Sequence, residues 1–222
     1  NMLYILKKYP EAISAYQEMI QKFADNADLK ETIEKAYFGM AWTQLKNKEI
    51  DSAITNFTKI LNQTDSKIIK ASALTQIGDA YQDAGNLDKA IETYDRILQD
   101  FPDSLYSDYV QYRQGIVLLK MDKIEAATLS FQTLKTSFPQ SKYLTDAQYY
   151  LGVAYFKKSA WAAAKEQVEN FITNAPKESQ LLPEANYILA LSTFNLNDAG
   201  KAMKTFEKII RDYPDQDALI KN

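Results

Sequence analysis

The feature that most constrains this chain is an alanine that returns at nearly constant intervals. Ala12, Ala53, Ala90, Ala127, Ala164 and Ala202 are separated by 41, 37, 37, 37 and 38 residues. Other marks keep step with it. Four residues on stand Tyr16, Phe57, Tyr94, Phe131, Val168 and Phe206. Twelve residues before the last five alanines stand Ala41, Gly78, Gly115, Gly152 and Ala190, and twelve after the last four stand Pro102, Pro139, Pro176 and Pro214. A period of this length marks an array of supersecondary units. No single unit can bury its apolar face alone, so neighbours must stack.

The clearest unit runs over 34 residues from Ala71 to Ser104, and its numbering from 1 to 34 serves for all copies. The small residues fall at positions 8 and 20, where two helices of a hairpin can cross closely and a larger side chain would overpack the contact. The aromatic at position 24 fills the space between helices. Proline at position 32 stops the second helix, because the residue before proline disfavours the α region. Asp103, Ser104, Ser141 and Asp215, just after the prolines, are able to cap a following helix.

Each copy therefore predicts a helix A, a tight turn and a helix B. The pairs are expected at 28–46 and 50–63, 67–84 and 87–100, 104–121 and 124–137, 141–158 and 161–174, and 178–196 and 199–212. Gly85-Asn86, Asp122-Lys123 and Asn197-Asp198 suit the A–B turns. The organisation expected is one solenoid over 1–222: a half repeat at 1–26, repeats at about 27–65, 66–103, 104–140, 141–177 and 178–215, and the start of another at 216–222. Since the chain opens inside a repeat, it is expected to be part of something longer. Pro10 falls in the first turn of a B helix, where its missing N–H costs nothing. A spacing of 37 exceeds the usual 34 by three residues. The surplus, as in Leu105-Tyr106-Ser107 and Lys142-Tyr143-Leu144, is expected to lengthen helix A by about one turn.

The copy at Ala71–Ser104 closely resembles the tetratricopeptide repeat, with Leu74, Ile77, Gly78, Tyr81, Ala90, Tyr94, Ile97 and Pro102 in register. The resemblance implies an all-α, right-handed α-solenoid that binds other proteins. Phe101-Pro102-Asp103-Ser104, Phe138-Pro139-Gln140-Ser141 and the run Ala147 to Tyr155 narrow it further. They resemble the long repeats of bacterial cell-envelope proteins, such as the periplasmic coordinator linked to Tol-Pal and the lipoprotein of the outer-membrane β-barrel assembly machine. The first two copies depart from that pattern, with Ala24 and Asp65 at position 32. The implied setting is the periplasm or the outer membrane, with the cytoplasm as the alternative.

In this superfamily positions 2, 5, 9, 12 and 13 of helix A usually line the concave groove. Here they supply Phe38, Trp42, Tyr109, Tyr112, Tyr149, Phe156, Tyr187 and Phe194, with Lys120 and Lys157 at position 13. An apolar and aromatic strip on that face marks an interaction surface for a peptide or a partner helix. Packing between hairpins is the competing explanation for any one ring. Asp79 and Asp83 share a helix face and are expected either to be solvated or to meet a basic ligand residue. The superfamily's clamp for chaperone tails needs Lys and Asn at positions 5 and 9. Position 9 is Trp42, Asp79, Ile116, Val153 and Leu191, so that pattern is missing.

Chemistry has few footholds. The chain has no Cys and no His, which removes cysteine–histidine zinc sites, thiol nucleophiles and serine–histidine triads. Its six glycines are isolated, so no phosphate-cradling loop is present. A net charge of −3 and the lack of Lys/Arg-rich runs argue against a nucleic-acid surface. No apolar run reaches the ~20 residues of a membrane span. The expectation is a scaffold with no catalysis, cofactor or metal, holding protein partners as part of an envelope assembly. The alternatives are a cytosolic adaptor or secretion chaperone, and the regulatory arm of an enzyme whose catalytic part lies elsewhere.

Overall fold

The computed structural model describes residues 2–214, and every regular element among them is helical. After α1 (Met2–Ile5) and α2 (Tyr9–Phe23), five hairpins follow. They are α3 (Lys30–Lys46) with α4 (Ile50–Gln63), α5 (Lys67–Asp83) with α6 (Leu87–Asp100), and α7 (Ser107–Lys120) with α8 (Ile124–Ser137). Next come α9 (Leu144–Lys157) with α10 (Trp161–Asn174), then α11 (Leu182–Asn195) with α12 (Ala199–Asp212). All five B helices begin and end where the sequence places them. Pro10 lies in the first turn of α2 as expected. Asp215 and the start of a further copy at 216–222 lie outside the described residues.

The chain divides into two compact units, Asn1–Val110 and Gln111–Asn222. In the first, α2 packs on α3, α3 on α4, α4 on α5 and α5 on α6. In the second, α8 packs on α9, α9 on α10, α10 on α11 and α11 on α12, while α9 also meets α11. The two helix types are buried differently. B helix α6 buries one stripe, Ala90, Thr93, Tyr94 and Ile97. A helix α5 buries Ala71, Ala73, Leu74, Thr75, Ile77, Gly78, Ala80 and Gln82, which lie around more than one side because it is packed on both α4 and α6.

The repeat marks have concrete partners. A Cβ on Gly78 would lie 2.5 Å from the Tyr94 ring, one on Gly115 2.5 Å from Phe131, and one on Gly152 2.4 Å from Val168. Position 8 is thus small because position 24 of the same hairpin lies directly on the backbone there. Tyr16 lies against Gly39 of α3, 2.6 Å from where a Cβ would stand.

The surplus residues correct the expectation in three copies only. There they do not extend helix A: α7 starts at Ser107, α9 at Leu144 and α11 at Leu182, each 14 residues long, whereas α3 and α5 run to 17 residues and α5 starts at Lys67 as expected. The connectors form turns built on a serine. Ser104 Oγ accepts from the Tyr106 N–H at 3.1 Å, Ser141 Oγ from Tyr143 N–H at 3.2 Å, and Ser179 Oγ from Leu181 N–H at 3.4 Å. A side-chain oxygen that binds the backbone two residues on offers the chain an alternative to the helix. Ser104 and Ser141 therefore act before the helix instead of capping it. Side-chain caps occur elsewhere, at Ser66 for α5 and Asp198 for α12.

Candidate functional site

Helices α3, α5, α7, α9 and α11 carry the residues expected to bind, and their burial is graded. Phe38, Trp42, Tyr109, Tyr112, Phe156 and Tyr187 are half-buried, Tyr149 is buried at 3% exposure, and Phe194 is exposed at 58%. The rings at position 5 serve packing as well as surface. Phe38 meets Phe57 edge-on at 5.2 Å, Tyr112 lies 6.5 Å from Phe131, and Tyr187 meets Phe206 at 6.0 Å. Each pair joins position 5 to position 24 of one hairpin. In the α9 hairpin position 24 is Val168, and Tyr149 packs on Phe171 at 5.6 Å instead. With its ring enclosed, Tyr149 packs against α10 as core instead of standing open to a partner as expected.

In the first unit Asp79 is an internal acceptor. The Tyr94 hydroxyl donates to Asp79 Oδ1 at 2.6 Å and the Tyr109 hydroxyl to Oδ2 at 2.8 Å. The carboxylate ties α5 to α6 and to the start of α7, a role that neither expectation for it foresaw. Asp83 is exposed.

In the second unit the rings gather. Tyr112 stacks on Tyr143 with centroids 5.0 Å apart and planes at 13°, and meets Tyr150 edge-on at 5.9 Å. Tyr150 contacts Tyr149 at 4.9 Å and stacks on Phe131 at 5.8 Å. Sequence reasoning missed Tyr143 and Tyr150 as members of this group. Tyr143 lies in a connector and Tyr150 at position 6, outside the groove positions. Burial raises the phenol pKa of Tyr112, Tyr149 and Tyr150 above the ordinary value. Tyr149 donates its hydroxyl to Glu184, which reinforces its shift. Toward the other end of these helices Phe156 meets Trp161 edge-on at 5.1 Å. Lys157 reaches back to Asp122 at 2.8 Å, with both groups exposed, while Lys120 is an exposed cation. Among the described residues no group of acidic side chains is arranged to hold a metal ion, and no helix is long and apolar enough to cross a membrane.

A family model for the tetratricopeptide repeat matches residues 72–104, the copy with the most complete set of marks. It is a tetratricopeptide-repeat protein. A second model, described as outer membrane lipoprotein (YfiO), matches residues 111–218 of this tetratricopeptide chain. Comparison with curated protein sequences finds no match. Among solved structures, MamA from Desulfovibrio magneticus RS-1 is similar at 21% identity and a TM-score of 0.69, over 83% of this chain and 97% of that one. A tetratricopeptide repeat protein from Parabacteroides merdae is similar at 15% identity and a TM-score of 0.71, over 94% and 75%. BtubC from P. vanneervenii is similar at 15% identity and a TM-score of 0.70, over 92% and 87%. At such identities these likenesses speak to the fold, which is the all-α helical-hairpin solenoid the sequence predicts.

Proposed function

We propose that this tetratricopeptide protein is a non-enzymatic scaffold that holds a protein partner, as a peptide or a helix, on the A-helix face of its second unit. The observation that carries the reading is the strip along α7, α9 and α11. Its wall is rigid, because Tyr112, Tyr149 and Tyr187 are braced from behind by Phe131, Phe171 and Phe206. Its opening keeps a large apolar group in solvent at Phe194, followed by Leu196 at 42% exposure. Rigid aromatic groups with an exposed apolar edge are what anchors at interfaces are made of. Lys120 and Lys157 lie at the rim, where charge tunes association more than affinity. The match of residues 111–218 to an outer-membrane lipoprotein family supports a place in the bacterial envelope, and it falls on the same unit.

The test uses the whole chain as bait in an extract of its native source, with affinities measured for each captured partner. Tyr187→Ala and Phe194→Ala are expected to weaken a partner by roughly 30-fold, the effect of removing an anchor worth about 2 kcal/mol. Lys89→Ala and Glu92→Ala, exposed on B helix α6, are expected to change little. The reverse pattern would move the working surface to the B helices and end the reading.

A further inference from the structure

One carboxylate on this face is placed against the interests of stability. Asp146 stands in the first turn of α9, where the helix dipole favours its charge. Burial opposes that and wins, holding its carboxyl above the usual aspartate range. It is half-buried, and among the described residues it makes no hydrogen bond and no ion pair. Lys142, four residues earlier in the chain, places its ammonium over the Tyr143 ring at 5.1 Å, and the charge of Arg113 acts on the Tyr112 and Tyr150 phenols. The negative charge of Asp146 acts on the same two phenols, and that of Glu184 acts on Tyr149 and Tyr150.

Asp146 and Tyr150 stand four residues apart on one face of α9, so this unpaired carboxylate lies beside the edge-on pair of tyrosine rings, Tyr112 and Tyr150, 5.9 Å apart. A carboxylate supplies a charge-assisted hydrogen bond and tyrosine rings supply a negative face, and the side chains that use both are lysine and arginine. We infer that Asp146, with the Tyr112 and Tyr150 rings, seats a lysine or arginine side chain of the docked partner. The inference rests on the scaffold reading and adds to it the chemistry of the partner: a segment with a basic residue among its apolar anchors. A helix-terminal aspartate kept only for the dipole would serve the fold alone.

The experiment selects random twelve-residue peptides on the full chain, then synthesises the strongest with each Lys or Arg replaced by norleucine. Peptides weakened by Phe194→Ala are the ones that occupy this face. They are expected to share a basic residue, and norleucine there is expected to weaken them about ten-fold. Asp146→Asn should cause the same loss with the basic peptide, no further loss with the norleucine peptide, and no drop in melting temperature. Peptides that need Phe194 but show no basic residue overturn this inference and leave the scaffold reading standing. If no selected peptide responds to Tyr187→Ala or Phe194→Ala, both fall. If Asp146→Asn lowers the melting temperature while the preference for a basic residue persists, the carboxylate serves the helix and the inference is wrong.

Discussion

At the scale of single residues, the repeat is held by a contact between position 8 and position 24. The ring of Phe131 occupies the space where a side chain on Gly115 would begin. Gly115→Leu must push that ring from the core or part α7 from α8. It is expected to cost about 1–3 kcal/mol through overpacking, read as a lowered melting temperature. An unchanged melting temperature would contradict the packing described. This contact was legible in the sequence, because steric demand at one position restricts residue type at another, and the restriction repeats five times. The role of Asp79 was not legible. Its partners Tyr94 and Tyr109 lie 15 and 30 residues away, and one carboxylate among many carries no mark of what it accepts.

At the scale of elements, each A helix ends on a residue in the left-handed region. Lys48, Gly85, Asp122, Ser159 and Asn197 have φ between 57° and 76°. The N–H one residue further on bonds back across the turn, as Ala160 N–H does to Tyr155 O at 2.9 Å. Three of these turns announce themselves through Gly, Asp or Asn. Lys48 and Ser159 do not, since hydrogen bonding and packing of the hairpin force the conformation on residues that resist it. Ser159→Gly is expected to stabilise the protein by about 0.5–1 kcal/mol, the left-handed penalty removed less the extra chain entropy of glycine. Chemical denaturation checks it, and a destabilised variant would show that the serine side chain has a role the turn does not reveal. Helix B boundaries were legible because proline and the turn residues punctuate both ends. The starts of α7, α9 and α11 were not, because Ser104, Ser141 and Ser179 read equally well as caps or as turn formers, and the choice depends on connector geometry.

At the scale of the whole molecule, the same rings that brace hairpins stand along the face we propose for a partner, which is why the sequence could not separate core from groove. Position and residue type agree for both uses, and only burial distinguishes Tyr149 from Phe194. The central claim is that partners lie on the A-helix face of the second unit. The most direct measurement places a photo-crosslinking amino acid, one site at a time, at Tyr187, Phe194, Lys89 and Glu92 in the full chain in its native host, and maps the products. The account predicts that one partner segment is captured from Tyr187 and Phe194, with little or nothing from Lys89 and Glu92. Capture of the partner from Lys89 and Glu92, with nothing from the α11 sites, would contradict it.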